Sequence, residues 1–345
     1  MEFELITDVE TWEALRAEWT DLLKHSITQV PFLNFDYQLA WWKTLGGGEW
    51  SPSNSRLSIV VARQNGLLLG IAPFFVSSRG EEREMLHFIG EVEVSDYLDF
   101  IVDPTDLDRF LLELLTFLRL SPQLAERPLG LSNIISDSPT LEAIPLACAK
   151  SGWDCKIDKL QPSPYIHVGD SYEEFLASLS KKQRHEVRRK ERNAEANYQT
   201  SWYLVQDAAT LEDELQAFID MMREDPSKQD FLTDLMVQHL KETARLAFRA
   251  GQLHLAFLTF DRVKVAAYFS IFSGGKLWVY NSAWKMEYSP ASPGWVLLAK
   301  IIRWACDQGV HEVDLMRGDE EYKYRFGGIN RFVLRAECFP LQDPV

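Results

Sequence analysis

"LHLAFLTFDRVKVAAYFSIFSG" (residues 253–274) consists of two apolar runs joined by the polar pair Asp261-Arg262. Two apolar runs joined by a short polar turn predict a β-hairpin. A second segment, "LSIVVARQNGLLLGIAPFFVSS" (57–78), has the same layout around the pair Asn65-Gly66, which is a strong hairpin signal. The two segments align without a gap at an offset of 196 residues, so the sequence predicts two equivalent hairpins.

The repeat extends upstream of both hairpins. The same offset pairs "NFDYQLAWWKTL" (34–45) with "DFLTDLMVQHLK" (230–241), and each segment has the apolar spacing of an amphipathic helix. We therefore predict two related lobes, residues 1–160 and 161–345. The alternative interpretation is a chance match between two common helix–hairpin units.

The remaining segments alternate between predicted strands and helices, which indicates a mixed α/β fold. In the first lobe we predict strands in 85–90 and 97–102, a helix at 106–119, a strand at 129–134 and a helix from Ser138. In the second lobe we predict helices at 209–224 and 230–249, a strand at 276–284, a helix at 292–309, a strand at 310–316 and a closing strand at 331–339.

Composition excludes several classes of protein. The chain has 345 residues and a net charge of −15, which disfavours general binding to nucleic acid. It contains no run of eighteen apolar residues, and its acidic beginning does not resemble a signal peptide, so we expect a cytoplasmic protein without a membrane span. The four cysteines and the histidines show no metal-ligand spacing, so we expect reduced, mostly buried thiols and no metal. The oligomeric state is left open.

Five segments together resemble a known family. They are "SDYLDF" (95–100), "PSPYIHV" (162–168), "LSKKQRHEVRRKER" (179–192), "SPGWVLL" (292–298) and "DLMRGDEEYKYRFG" (314–327). In this order they resemble the CelD-like acetyltransferases of the GNAT superfamily, which are related to the Fem-type aminoacyltransferases. The resemblance implies two tandem GNAT-like lobes, of which the first is degenerate.

The same resemblance implies a reaction. It is the transfer of an acetyl or other acyl group from acyl-coenzyme A to an amino or hydroxyl group of a small molecule. The resemblance also suggests a sugar or envelope-related acceptor, as in polysaccharide biosynthesis.

The segment 314–327 contains the candidate catalytic residues. The family pattern G-x-E-x-Y-K falls on Gly318, Glu320, Tyr322 and Lys323. Amide formation needs a base for the attacking amine and an acid for the leaving thiolate. The resemblance assigns these roles to Glu320 and Tyr322, with Lys323 binding an anionic substrate. The alternative is a solvated cluster of ion pairs that has no catalytic role.

Further substrate contacts are predicted in two places. Arg317 lies within the same stretch and offers a bidentate contact to an anionic acceptor. "SDYLDF" supplies Asp96 as a second candidate base, with Tyr97 and Asp99 as candidate substrate contacts. Trp41 is a candidate for lining the same cleft, although aromatic residues at helical spacing are more often in the core.

Two segments are candidates for binding the donor. The loop 285–294 falls where the GNAT fold places its pyrophosphate-binding turn, and we expect Ser289, Ser292 and Gly294 to contact the donor there. The loop has fewer glycines than is usual in that family, and an ordinary helix start is the alternative. Arg184 and Arg188 lie on one stripe of a predicted basic helix and are further candidates. A solvated basic helix is the alternative there.

Two other functions remain open at this point. The basic helix would also suit the RNA of an aminoacyl-tRNA donor, as the Fem-type resemblance implies. The acidic net charge and the lack of a long coiled-coil arm argue against it. A catalytically degenerate binding protein is the non-enzymatic alternative, and the intact Glu320, Tyr322 and Lys323 set argues against that.

Overall fold

The computed structural model describes residues 1–48, 54–78, 83–91 and 93–341. The chain forms two compact units: unit 1 contains residues 1–161 and the C-terminal segment from Arg331, and unit 2 contains Pro162–Asn330. The sequence placed the C-terminal strand in the second lobe, and this was wrong. The strand belongs to unit 1 because it pairs with the strand at 129–135.

Both units combine helices and strands, as the sequence predicts. The helices are α1 (Val9–Ala14), α2 (Arg16–Leu23), α3 (Phe35–Leu45), α4 (Leu107–Leu120), α5 (Thr140–Ser151), α6 (Tyr172–Ser178), α7 (Lys181–Asn197), α8 (Leu211–Arg223), α9 (Asp234–Arg249), α10 (Pro293–Asp307) and α11 (Glu321–Arg325). The strands are β1 (Glu2–Ile6), β2 (Arg56–Leu57), β3 (Ile59–Gln64), β4 (Leu67–Ala72), β5 (Phe74–Ser77), β6 (Met85–Phe88), β7 (Ile101–Val102), β8 (Leu129–Ile135), β9 (Trp153–Pro162), β10 (Tyr165–His167), β11 (Thr200–Leu204), β12 (Leu253–Phe260), β13 (Val263–Ser273), β14 (Lys276–Trp284), β15 (Glu312–Asp314) and β16 (Phe332–Pro340).

Unit 2 is built on one six-stranded sheet with the order β10-β15-β14-β13-β12-β11. Neighbouring strands are antiparallel except β14 and β15, which are parallel and are connected through α10. Apolar residues of α6, α7 and α10 pack with one face of this sheet in a single core cluster. The ring of Phe218 on α8 packs edge-on against Phe269 of β13, so α8 covers the opposite face.

Strands β14 and β15 separate soon after they begin. Their pairing covers only Lys276–Trp278 opposite Glu312–Asp314, whereas β14 continues to Trp284. The register between β13 and β14 shifts between Phe269 and Ser270, which leaves Tyr280 as an extra residue in β14. The carboxyl ends of this parallel pair are therefore open to a ligand, which is where open α/β sheets bind one.

Unit 1 contains two sheets, with the orders β1-β3-β4-β7 and β2-β5-β6-β8-β16-β9. Strand β16 lies between β8 and β9, and it pairs antiparallel with β8 from Val333 opposite Ile135 to Cys338 opposite Leu129. A strand from the end of the chain therefore completes the sheet of the first unit. No periodicity in the sequence encodes which sheet such a strand will join.

The two predicted hairpins are present and lie in separate sheets. Both turns have left-handed central residues, Asn65-Gly66 and Asp261-Arg262, as a two-residue type I′ turn requires. The pairing shifts between Ala62 and Arg63 in the first hairpin and between Leu258 and Thr259 in the second. These shifts also differ by 196 residues in the sequence, so the repeat extends to the position of a β-bulge.

Two further expectations concern helices. The helix predicted from residue 230 begins at Asp234, because the Thr233 side chain accepts a hydrogen bond from the Met236 N–H and caps the helix there.

Among the described residues, no helix combines the length and the apolar character needed to cross a bilayer.

Candidate functional site

A pocket of about 220 Å³ opens in unit 2 at the carboxyl end of β14, beside Trp284. It is lined by residues from five elements and the loop before α10: Lys190, Tyr268, Trp284, Ser289, Ser292, Pro293, Gly294, Trp295 and Tyr322. The structure therefore brings the predicted donor loop and the predicted acid Tyr322 to one cavity. They are about 30 residues apart in the sequence, and the fold joins them through the α10 crossover.

The start of α10 forms one wall of this pocket. Ser292 is the N-cap residue, with a left-handed backbone (φ 53°), and its side chain makes no capping bond. Pro293 follows at the first helical position and needs no N–H partner there. The first turn of a 15-residue helix therefore points polar groups and the positive end of its dipole toward the cavity.

The structure gives a reason for a glycine two residues before Glu320 in the G-x-E pattern. Its backbone has a φ of +119°, and a Cβ added there would lie 2.4 Å from Glu320 Oε2. A side chain at residue 318 would therefore displace the carboxylate of Glu320. That carboxylate is also held by Lys323, whose Nζ lies 3.0 Å from Oε2. The Glu320 side chain remains 57% exposed, so it is accessible to a substrate.

The predicted role of Lys323 as an anion-binding cation was wrong. Its side chain is only 2% exposed, and Nζ donates to the carbonyl oxygens of Met316 (3.0 Å), Arg317 (2.7 Å) and Gly318 (3.4 Å). These bonds and the Glu320 carboxylate use the donors of the ammonium group. Lys323 thus fixes the backbone of 316–318, in which Met316 adopts a left-handed φ of 61°.

Two phenols meet in the pocket. Burial raises the pKa of Tyr322 well above its ordinary value, and the nearby phenol of Tyr268 and the carboxylate of Glu320 raise it further. Burial and the Glu320 charge also raise the pKa of Tyr268. Both hydroxyl groups are therefore protonated at neutral pH and can donate hydrogen bonds. Sequence analysis missed Tyr268, because it lies within an apolar strand and no motif marks it.

Lys228 was also missed by sequence analysis. Burial lowers its pKa to about 8, although the carboxylates of Asp225 and Glu320 favour the charged form. Its Nζ donates to Asn281 Oδ1 at 2.7 Å and to the carbonyl oxygen of Ser282. A lysine with this pKa loses its proton close to neutral pH, and it interacts electrostatically with the candidate base Glu320.

The basic helix α7 contributes a different residue from those predicted. Lys190 lines the pocket, and its ammonium lies 3.6 Å from the ring centroid of Trp295. Burial lowers the pKa of Lys190. Arg184 is half-buried and Arg188 is exposed, and neither lines the cavity. Arg184 and Arg188 do lie on one helix, as predicted, but the sequence could not show which face of α7 lines the pocket.

The remaining predicted contacts of the second lobe are placed as follows. Ser289 lines the pocket, and its Oγ donates to the Met286 carbonyl at 2.7 Å. Arg317 is half-buried and does not line this pocket, but its carbonyl accepts from Lys323.

The substrate-binding residues predicted in the first lobe lie in the core of unit 1. Trp41 and Tyr97 are fully buried, and their rings pack against Phe75 and Phe32. Asp99 is also fully buried. It accepts hydrogen bonds from the hydroxyls of Thr28, Ser138 and Thr140 and from the Phe100 N–H.

These three predictions were wrong because each side chain already has its partners inside the protein. The candidate base Asp96 is 9% exposed and also belongs to unit 1.

Comparisons with known proteins agree with this geometry. Residues 181–324 match the family model described as "Acetyltransferase (GNAT) domain", and this range includes all nine pocket residues. A search of curated proteins gave no match.

Several solved structures are similar over nearly the whole chain. FemX aligns with a TM-score of 0.65 and 12% identity, covering 96% of this chain and 97% of FemX. The structure of L-PGS from Bacillus licheniformis aligns with a TM-score of 0.56 and 12% identity, covering 98% of this chain and 94% of that one. A tandem GNAT protein from the clavulanic acid biosynthesis pathway aligns with a TM-score of 0.53 and 10% identity, covering 97% of this chain and 98% of that one.

At these identities the structural likeness concerns the fold alone. The domain match and the strand order of unit 2 agree with each other, and the solved structures extend the likeness to both units. The chain has a GNAT-type fold, and residues 181–324 match the model of a GNAT acetyltransferase domain.

Proposed function

We propose that the protein transfers an acetyl or other acyl group from acyl-coenzyme A to an amino or hydroxyl group of a small acceptor. The observation that supports this most directly is the pocket in unit 2, where the start of α10, two protonated phenols and Lys190 meet. The resemblance to CelD-like acetyltransferases suggests a sugar or envelope-related acceptor, and this finer assignment rests on the five sequence segments alone.

The donor would bind by its pyrophosphate at the start of α10. Backbone N–H groups at a helix start and the positive dipole end favour a phosphate, and Lys190 adds a cation beside them. Pockets for whole drug-sized ligands measure about 300–1,000 Å³. The observed 220 Å³ therefore suits one part of coenzyme A, with the rest of the molecule outside.

The acid–base chemistry would use Tyr322 and Glu320. Attack of the acceptor on the thioester forms a bond to the carbonyl carbon, and the carbon–sulfur bond then breaks and leaves a thiolate. Tyr322 is protonated and can donate to that sulfur, while the Glu320 carboxylate takes the proton of the attacking amine or hydroxyl. Lys228 is a second candidate base, because its pKa of about 8 provides a neutral amine near physiological pH.

The test is a thermal-shift titration of the full chain with acetyl-coenzyme A. A ligand that binds the folded state raises the melting temperature with its concentration. Lys190→Met should weaken binding by about tenfold, because it removes a charge-assisted contact to the phosphates. The matched control is Arg188→Met on the same helix, and it should keep the wild-type affinity because Arg188 does not line the pocket. No shift at millimolar acetyl-coenzyme A would contradict the proposal.

Aminoacyl transfer from a charged tRNA is the second candidate. Helix α7 supports it, because its exposed Arg188 and Arg192 form no ion pair with another described residue and are available to a phosphate backbone. A shift with aminoacyl-tRNA and none with acetyl-coenzyme A would favour this candidate. A protein that binds acetyl-coenzyme A but transfers no acyl group to a panel of amines and amino sugars would instead be a degenerate binding protein.

A further inference from the structure

Three cysteines that are scattered in the sequence meet in unit 1. Cys148 lies near the end of α5, Cys155 near the start of β9 and Cys338 on β16. Their sulfur atoms all lie within 4.8 Å of one another, and the Sγ atoms of Cys155 and Cys338 are 3.6 Å apart. We call these three residues the thiol cluster. The proposed acyl transfer does not use it, since the candidate pocket belongs to unit 2.

The fold itself produces this cluster. Gly152 ends α5 in a left-handed conformation (φ 72°), which turns the chain directly into β9 and brings Cys155 back toward Cys148. The Leu341 N–H donates to the Gly152 carbonyl at 2.9 Å, which places β16 antiparallel beside β9 and sets Cys338 opposite Cys155. Spacings of 7 and 183 residues give no metal signature in the sequence.

We propose that the thiol cluster binds one thiophilic divalent metal ion of the zinc type. Zinc–thiolate bonds are about 2.3 Å long, so three sulfurs around one ion lie about 3.8–4.0 Å apart. The Cys155–Cys338 distance of 3.6 Å is close to this value, and no two of the three sulfurs are more than 4.8 Å apart. Among the described residues, no fourth His, Cys, Asp or Glu belongs to this group. A water molecule would be the fourth ligand of the metal, and it would reach the ion beside Cys155, which is only half-buried.

Charge favours a divalent over a monovalent ion. Three thiolates around Zn²⁺ have a net charge of −1, whereas around Cu⁺ the same ligands have a net charge of −2. Cys148 and Cys338 are almost completely buried, and burial penalises each uncompensated charge. The guanidinium of Arg119 donates to the Ser151 carbonyl at 3.2 Å, which places one cation at the turn between α5 and β9.

The cysteines bind the metal as thiolates. Metal binding forms three Zn–S bonds, and each cysteine that is a thiol beforehand releases its proton to solvent. No electron is transferred, and the cysteines stay at the thiolate oxidation level.

The test uses the full chain, reduced and stripped of metal under anaerobic conditions. Zn²⁺ is titrated against a competing chelator, and proton release is measured in weak buffer. We expect one Zn²⁺ per chain and a release of protons on binding, because the ligands bind as thiolates. Cobalt substitution should give a thiolate-to-Co²⁺ charge-transfer band, which reports sulfur ligands directly.

Single variants identify the ligands. Loss of an outer partner of a metal ligand costs about 10–100-fold in affinity, so loss of a thiolate should cost at least 100-fold. We expect this for Cys338→Ser and for Cys155→Ser, of which the second changes a half-exposed site on the edge strand β9 and should leave the fold intact. The control is Cys306→Ser in α10, which is buried but outside the cluster and should keep the wild-type affinity.

Three results would overturn the proposal. The first is an unchanged zinc affinity in both cluster variants. The second is saturation by Cu⁺ in the same assay without binding of Zn²⁺. The third is a disulfide between Cys155 and Cys338 in protein purified without reductant, shown by the loss of two free thiols.

Discussion

The two hairpins begin alike and end differently. Both have a type I′ turn and a bulge at the same place, 196 residues apart. In unit 2, β13 runs for 11 residues through Tyr268 and Phe269 and brings a phenol to the pocket. The equivalent positions in unit 1 are Ala72 and Pro73, and the strand is interrupted there.

A single proline accounts for much of this difference. Pro73 has no N–H to donate to a sheet, so the chain leaves the first sheet after β4 and enters the second as β5. Directly after Pro73, the ring of Phe74 packs against the rings of Phe88 and Phe100, which also contact each other. Unit 1 is thus a packed structural unit at this place, whereas unit 2 keeps polar groups at the open end of a continuous sheet.

The largest expected effect tests the placement of the chemistry in unit 2. Tyr322→Phe removes the proton donor, so the rate of acyl transfer should fall by about 10²–10⁴-fold. The affinity for acetyl-coenzyme A should change little, because the ring remains. The measurement is release of the coenzyme A thiol in the presence of an amine or hydroxyl acceptor identified by screening.

Tyr324→Phe is the matched control for this experiment. Tyr324 lies on the same short helix, but its hydroxyl faces Asp319 and Asn330, with oxygen–oxygen distances of 2.5 Å and 2.9 Å, and it does not line the pocket. We expect the wild-type rate for this variant. Equal rates for both variants would show that neither phenol takes part in the chemistry.

The next effect tests whether unit 1 is structural. Asp99→Ala would leave three buried hydroxyl groups and one N–H without their acceptor, and each unpaired buried group costs about 1–3 kcal/mol. We expect the free energy of unfolding to fall by about 3 kcal/mol or more, measured by urea denaturation. The affinity for acetyl-coenzyme A should not change.

Asp99→Asn is the milder comparison, because it keeps the size and one acceptor oxygen of the side chain. It should retain most of the stability. A variant at Asp99 that lost acyl transfer while keeping wild-type stability would restore Asp99 as a substrate contact.

The sequence was sufficient for the parts of the fold that local patterns encode. The hairpins, the helix of Pro293 and the strand 276–284 follow from apolar periodicity and turn residues, and all are present. Of the predicted site residues, Tyr322 and the α10 loop line one pocket, and their roles there stay predictions. Polar residues marked these two segments, so a resemblance to a family could find them.

What failed depends on long-range placement. In the sequence, Lys323 and Asp99 cannot be distinguished from charged residues that face solvent. Only the folded structure shows that Lys323 is bonded to backbone carbonyls and Asp99 to hydroxyl groups. Lys228 and Tyr268 lie outside every motif, and they reach the site only because β13, β14 and the segment before α9 meet there. The thiol cluster requires β16 to join unit 1, which no local pattern encodes.

The smallest of the three effects tests the electrostatic contrast between the units. Asp99 in unit 1 is held by four donors, whereas Lys228 in unit 2 is a buried ammonium whose pKa is lowered from 10.5 to about 8. Below pH 8 the folded and unfolded states are both protonated at this residue, and folding bears the full cost of burying the charge. Between pH 8 and 10.5 only the unfolded state keeps the proton, so the free energy of unfolding rises with pH.

The size of that rise follows from the pKa difference, and it is about 3 kcal/mol over the whole window. Lys228→Met removes the titration and also the hydrogen bonds to Asn281 and Ser282. Losing those bonds shifts stability by an amount that does not depend on pH.

The informative quantity is therefore the free energy of unfolding of the wild type minus that of the variant, measured by urea denaturation at pH 7 and pH 10. We expect it to increase by about 2–3 kcal/mol. If this difference is the same at both pH values, the pKa of Lys228 is not lowered in the folded protein, and Lys228 is no longer a candidate base.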